Sequence, residues 1–159
     1  MDKEELIEKA EVVYEELKGK GSANFLSFLE EMIDTIVKKE YGEKEAINNF
    51  LEIIYNVKNT NIGIIGGGKN LKNNYKNFVD KFLKLKKDNN NYIMKNEHLR
   101  DLSLKELEFV LSWSRRILKA EEEANKKNNK KNEVKNNKIK RKRDTFEDSP
   151  FAKLKELKF

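Results

Sequence analysis

A glycine-rich stretch, GIIGGGKN at residues 63–70, has the residue types and spacing of a phosphate-binding loop. Gly63, four further residues, Gly68 and Lys69 match G-x-x-x-x-G-K, but Asn70 stands where a Ser or Thr hydroxyl would hold magnesium. Such a loop also follows a buried strand, and the short piece NIGII is the only strand candidate in the sequence. We therefore predict a glycine-rich turn between two helices, with Gly68 or its neighbours at positive φ. Nucleotide binding at residues 63–70 is the less favoured alternative, and amides beside Lys69 at a helix N-terminus could instead hold a phosphate of RNA or DNA.

The remaining residues with chemical potential do not form a catalytic pattern. His98 is the only histidine and the chain has no cysteine, so zinc sites, disulfides and thiolate chemistry are not expected. The paired glutamates are consecutive in sequence, which turns them about 100° apart on a helix and away from a shared site. We expect a protein that is not an enzyme and that uses no cofactor or metal.

Basic residues are the features that suggest a partner. Residues 1–57 carry 7 Lys/Arg and 14 Asp/Glu, whereas the net charge is +8 over residues 58–120 and +5 over residues 121–159. Clustered Lys and Arg are what phosphate contacts require, so this asymmetry favours RNA or DNA as a partner. A Lys- and Asn-rich coding bias without a target is the alternative. Trp113 is predicted as a core residue rather than a base-stacking platform. The predicted nucleic-acid contacts are Lys69, Lys72, Lys76, Arg115, Arg116, Lys119, Lys140, Arg141, Lys142 and Arg143.

Helical periodicity dominates the part of the chain that must position these residues. Apolar residues recur with helical spacing over residues 4–18, 24–40, 43–57 and 71–87, and glycines separate several of these segments. Ser103 and Glu106 form a capping box before a fifth apolar run. The small Ser114 lies within the apolar arc of that helix, where it would permit a close helix crossing. The pattern predicts an all-α fold, a compact bundle of about five helices over residues 1–124.

The composition changes after the fifth helix. Residues 125–145 are rich in Lys and Asn and have almost no apolar side chains, so we predict a disordered basic linker. Residues 146–159 regain apolar side chains with helical spacing and are predicted to form a short amphipathic docking helix that needs a surface to pack on. Docking in cis and docking in trans are both open. The predicted partner-binding residues are Phe151, Leu154, Leu157 and Phe159.

The sequence leads to one preferred function and two alternatives. The preferred function is a non-catalytic accessory subunit that binds nucleic acid through a basic helical surface and tail, and that a larger protein holds through the C-terminal peptide. A protein–protein adaptor without nucleic-acid binding is the main alternative, and a nucleotide-binding protein is the second. No apolar run approaches the ~20 residues of a membrane span, so a cytoplasmic protein without a membrane partner is expected. Wide apolar faces on the second and third helices leave a homodimer open.

Overall fold

The computed structural model describes the backbone of residues 1–20 and 22–147, and their side chains up to residue 133. Within these residues, five α-helices and one antiparallel hairpin follow one another along the chain. The helices are α1 (Lys3–Leu17), α2 (Ala23–Val37), α3 (Glu43–Asn59), α4 (Lys69–Asn77) and α5 (Leu104–Glu147). The mainly helical fold is therefore confirmed, and the first three helices lie close to the predicted segments.

The fourth helix is shorter than predicted. It ends at Asn77 and opens into a π-helical turn, Phe78–Phe82, in which the Leu83 N–H donates to the Phe78 carbonyl at 2.8 Å. Lys84 then takes a positive φ of 53°, which stops the helical path. Residues 84–87, which the sequence placed on this helix, therefore lie in and before a strand, and that part of the prediction is wrong.

A two-stranded hairpin follows the π-helical turn. Strand β1 (Leu85–Asp88) pairs antiparallel with β2 (Asn91–Met94), with Leu85 opposite Met94 and Lys87 opposite Tyr92. Asn89 in the connecting turn has a φ of 54°, a conformation that Asn tolerates better than most residues. The predicted strand candidate NIGII is not a strand, because residues Ile62–Ile65 form a 3-10 helix instead.

An aromatic group at the centre of the core joins α2, α3 and α4. The Phe25 ring lies 5.7 Å from the Tyr75 ring and 5.5 Å from the Phe78 ring, measured between centroids. Tyr75 is fully buried, and its hydroxyl donates to the Ile54 carbonyl of α3 at 2.8 Å. Burial raises the pKa of Tyr75, so this phenol stays neutral and keeps its donor role.

Helix α5 begins at the predicted capping box and crosses α1 closely. The Ser103 N–H donates to the Glu106 carboxylate at 2.8 Å, and the Glu106 N–H donates to the Ser103 hydroxyl at 3.2 Å. Further along, the buried Ser114 hydroxyl lies 2.9 Å from the Ala10 carbonyl of α1 and 2.7 Å from the carbonyl of Val110. A side chain this small lets the two backbones approach, as expected from its place in the apolar arc.

The chain divides into two units after Lys119, which is five residues before the predicted domain end. From Ala120 the described backbone is helical to Glu147, over the stretch predicted to be a disordered linker. Extending an existing helix avoids the nucleation step, which is the unfavourable part of helix formation, so a polar sequence can continue it. The side chains of residues 122–133 are exposed, as expected for a polar segment. The proposed domain boundaries stay a prediction.

Candidate nucleic-acid interface

The glycine-rich stretch forms a turn between α3 and α4. Gly66 and Gly67 have φ of 73° and 72°, and Gly68 is the extended residue that precedes Lys69, the first residue of α4. The segment before them is the 3-10 helix Ile62–Ile65, whereas a phosphate-binding loop of the G-x-x-x-x-G-K type follows a buried strand. The described residues therefore lack the local context that nucleotide binding by this motif requires.

A continuous basic segment begins at this turn and extends through the hairpin. We define the basic segment as residues 69–95, which cover α4, the π-helical turn, β1 and β2. It contains eight lysines and only two acids, Asp80 and Asp88. Seven of the eight lysine side chains are exposed, and Lys72 is half-buried. The lysines are Lys69, Lys72, Lys76, Lys81, Lys84, Lys86, Lys87 and Lys95.

Ion pairing leaves the positive charge of this segment uncompensated. Asp80 accepts from the ammonium of Lys58 on α3 at 2.5 Å, so a cation from outside the segment neutralises one of its two acids. Among the ion pairs of the described residues, none involves a lysine of the basic segment. Exposed lysines attract polyanions, and within the segment Asp88 is the one acid without a described ion pair, so a clear positive excess remains.

The hairpin holds part of this charge on a fixed support. The Tyr92 N–H donates to the Asn48 side-chain oxygen of α3 at 2.9 Å, and the Tyr92 ring lies 5.2 Å from the ring of Tyr55. The Lys87 ammonium lies 5.9 Å from the Tyr92 ring centroid, within the range of a cation–π contact. Cross-strand pairing places Lys86 opposite the exposed Ile93. Docking on α3 therefore fixes the backbone that carries these lysines.

The three basic residues predicted on α5 have different surroundings. Arg115 forms an ion pair with Glu30 of α2, in which the side chains are 26% and 13% exposed. The same Glu30 carboxylate accepts from the hydroxyl of Ser112. Arg116 and Lys119 are exposed and take part in none of the ion pairs described. Arg115 therefore has a structural partner, while Arg116 and Lys119 are open to a ligand.

A groove of about 380 Å³ lies on the exposed side of α5, and we call it the aromatic groove. Within it, the Phe109 and Trp113 rings lie 6.0 Å apart between centroids, with 13° between their planes. Both side chains are half-buried, so Trp113 packs against the core with one part and faces the groove with another. The prediction of Trp113 as a core residue thus describes only part of its environment. The groove is lined by Lys105, Glu108, Phe109, Ser112, Trp113 and Arg116.

The acids of α2 make this face of α5 electrically mixed. Burial raises the pKa of Glu108 most, and the carboxylates of Asp34 and Glu30 raise it further, against a smaller opposing effect of Lys105. Asp34 is paired with Lys38 at 2.8 Å, and Glu30 is paired with Arg115. The aromatic groove therefore has a weaker positive charge than the basic segment.

A second groove, which we call the apolar groove, lies between the C-terminus of α2 and the N-termini of α3 and α5. Its volume is about 410 Å³. Val37 and Tyr41 at its wall are 38% and 39% exposed, which is high for side chains of this size. Its lining is mainly apolar, formed by Ile36, Val37, Tyr41, Ala46 and Leu104, with Glu43, Ser103 and Lys105 beside them.

The structure brings only some of the predicted site residues together. Helix α4 contacts α2 and α3, through Phe25 and Ile54, whereas α5 contacts α1 and α2, through Ala10 and Glu30. Helices α4 and α5 thus both contact α2, and each has a second neighbour that the other does not contact through these residues, α3 for α4 and α1 for α5. The side chains of residues 140–143 and the peptide with Phe151, Leu154, Leu157 and Phe159 lie outside the described residues. The hairpin lysines were missed as strand residues, although their charge was visible in the sequence.

Other kinds of site have little support in the described residues. His98 is exposed, and its carbonyl accepts from the Lys9 ammonium at 2.7 Å. No group of three or more His, Cys, Asp or Glu side chains able to hold a metal occurs in the part of the chain described. Over the same residues, no helix combines the length and apolarity needed to cross a membrane. Comparisons of the chain with protein-family models, curated proteins and solved structures gave no match.

Proposed function

We propose that this protein is a non-catalytic accessory subunit that binds nucleic acid, RNA or DNA, through the basic segment. The observation that supports this is the set of eight lysines over residues 69–95, none of which has a described ion-pair partner. Phosphate contacts need exposed cations and supply most of the affinity of sequence-independent binding. Arg116, Lys119 and residues 140–143 add further cations to the same proposal.

The tail supplies the second half of the proposed role. In this proposal the peptide with Phe151, Leu154, Leu157 and Phe159 attaches the subunit to a larger protein, because a short apolar helix needs a surface to pack on. The cysteine-free composition fits a reducing compartment, and we propose that the protein acts in the cytoplasm.

The apolar groove favours a second candidate, a protein–protein adaptor. Its volume of about 410 Å³ and its mainly apolar lining would accept one large apolar side chain of a partner. The two candidates differ in their response to salt. Phosphate binding weakens steeply as salt rises, whereas an apolar contact does not.

Fluorescence anisotropy with labelled single-stranded RNA, single-stranded DNA and duplex DNA tests the proposal on the full chain. We expect binding whose log K falls linearly with log salt. The triple variant Lys69→Gln, Lys76→Gln, Lys86→Gln should flatten that slope by about 2 for a single strand, since each lost phosphate contact contributes about 0.7.

A matched control separates a local surface from net charge. Lys3, Lys39 and Lys44 are exposed, are in none of the described ion pairs and lie outside the basic segment. Changing these three to Gln removes the same charge and should leave affinity within about twofold if the basic segment is the contact surface. Equal losses in the two triple variants would contradict the assignment to residues 69–95, and no binding by the unmodified chain at low salt would refute nucleic-acid binding.

A further inference from the structure

The aromatic groove of α5 contains a stacked pair of aromatic rings beside two cations that have no described ion-pair partner. The Phe109 and Trp113 rings lie four residues apart on one helix and are nearly parallel, with 13° between their planes. Arg116 and Lys105 line the same groove and have no described ion-pair partner, while Glu108 is its one acid. Both rings are half-buried, so the core fixes their orientation while part of each ring faces the groove.

The residue types of the groove match the chemistry of an unpaired nucleotide. An aromatic ring stacks on the face of any base, and such a stack contributes about 1–3 kcal/mol by alanine substitution. The guanidinium of Arg116, three residues after Trp113, can bind a phosphate with two hydrogen bonds or extend the stack. A base in the interior of a duplex already has neighbours on both faces, and only the terminal pairs keep a free face, so these rings favour an unpaired base.

We infer that the aromatic groove is a stacking site for an unpaired base of a single-stranded nucleic acid, with Arg116 at the adjoining phosphate. This inference rests on the proposed function and makes it more specific: the basic segment supplies salt-dependent attraction, and the groove supplies a preference for single strands. The groove has two cations and one acid, so its charge suits an anionic strand.

Trp113 is the only tryptophan of the chain, so its fluorescence reports on this groove alone. We would titrate the full chain with a 12-nucleotide single strand, with the matched duplex and with adenosine monophosphate, and record fluorescence and anisotropy together. A stacked base should quench the fluorescence of Trp113 as the single strand saturates the protein. The duplex should bind through the basic segment without that quenching, and the mononucleotide should quench only at far higher concentration.

Two variants test the same point by affinity. Trp113→Leu should weaken single-strand binding by about 5- to 150-fold, the range that corresponds to the loss of one stacked base, and should leave duplex affinity unchanged. Trp113→Phe retains a ring and should lose much less. Because Trp113 also packs against the core, thermal unfolding by circular dichroism checks that each variant is folded.

The outcomes distinguish failure of this inference from failure of the proposed function. Single-strand binding without a change in Trp113 fluorescence, or with full affinity in folded Trp113→Leu, would overturn the stacking site and leave nucleic-acid binding intact. Absence of binding to every nucleic acid would refute the proposed function as well. Equal affinity for the mononucleotide and the strand would overturn the assignment to a strand, since it would show a site for free nucleotides.

Discussion

Arg115 and Arg116 are neighbours in sequence, and the structure predicts opposite consequences of removing them. Arg115 is paired with Glu30, whereas Arg116 lines the aromatic groove without an ion-pair partner. We therefore expect Arg115→Ala to lower the stability of the fold and to change nucleic-acid affinity little. Arg116→Ala should change the stability of the fold little and should weaken nucleic-acid binding.

The expected size of the Arg115 effect follows from the exposure of the pair. Exposed ion pairs contribute about 0.2–1 kcal/mol, and removing one partner of a fully buried pair costs about 3–5 kcal/mol. Arg115 is 26% exposed and Glu30 is 13% exposed, so the pair lies between these cases. A loss of about 2 kcal/mol should lower the urea midpoint by about 1 M, for an m-value near 2 kcal/mol/M. Replacing the exposed Arg116 should change stability by less than about 0.5 kcal/mol.

Urea unfolding followed by circular dichroism measures these differences, and a double-mutant cycle assigns them to the pair. Glu30→Gln, Arg115→Ala and the double variant should give a coupling free energy of about 1–2 kcal/mol. Ser112 also donates to Glu30, so part of the stability change in Glu30→Gln comes from that hydrogen bond. This part does not contribute to the coupling free energy between Glu30 and Arg115. Anisotropy with a single strand on the same proteins provides the second readout.

Two results would refute this reasoning. If Arg115→Ala weakened nucleic-acid binding as much as Arg116→Ala while its urea midpoint stayed unchanged, the Glu30 pair would not be what holds Arg115. If the coupling free energy were near zero, the two side chains would not depend on each other for stability. In both cases Arg115 would return to the set of candidate phosphate contacts.

Three further predictions concern pH dependence and packing. Because burial and the α2 carboxylates raise the pKa of Glu108, the folded state binds this proton more tightly than the unfolded chain, and stability falls as pH rises above 4.5. Glu108→Gln should therefore raise the melting temperature by a few degrees at pH 8 and very little at pH 4, and an equal effect at both would contradict the shift. Ser114→Leu should lower the free energy of unfolding in urea by at least about 1–3 kcal/mol, because the larger side chain must fit at a buried helix crossing. Ser114→Ala should lower it by about 1 kcal/mol, through the lost hydrogen bond. Similar losses for the two variants would argue against a close approach of α1 and α5. Gly67→Ala should destabilise the fold more than Gly66→Ala, since both glycines have positive φ but only a Cβ at Gly67 would clash with the Leu71 side chain. Equal melting temperatures would show that Leu71 moves aside.

Local signals in the sequence were sufficient for most of the helices. The apolar spacing of the first three segments corresponds to α1, α2 and α3, because each buries one face against the same core. The start of α5 was also predictable, since Ser103 and Glu106 satisfy each other's backbone donors within a single turn. Signals of this kind need only neighbouring residues, so one sequence contains them in full.

The hairpin could not be recognised because the helical pattern before it continues past the end of α4. Phe78 and Phe82 are four residues apart and their rings stack 5.3 Å apart, as helical spacing predicts. The backbone nevertheless widens into a π-helical turn there. Lys84 then takes a positive φ, which could not be predicted from a lysine at that position. Strand β1 has only four residues, and three of them are exposed, so the sequence has no clear alternation of apolar and polar residues there that would favour a strand over a helix.

The sequence could predict least well which charges of the candidate site are neutralised by ion pairs. Arg115 and Arg116 are the same residue type in adjacent positions, but successive helical residues point about 100° apart, so only one of them can meet a given neighbour. That neighbour is Glu30, which lies 85 positions earlier in the chain. The same holds for Asp80, whose charge is neutralised by Lys58 of another helix. In a helical protein, the cations that tertiary packing pairs with acids must therefore be left out before the remaining cations are used to identify a binding surface. Here Arg115 is left out because it pairs with Glu30, and the lysines of the basic segment remain.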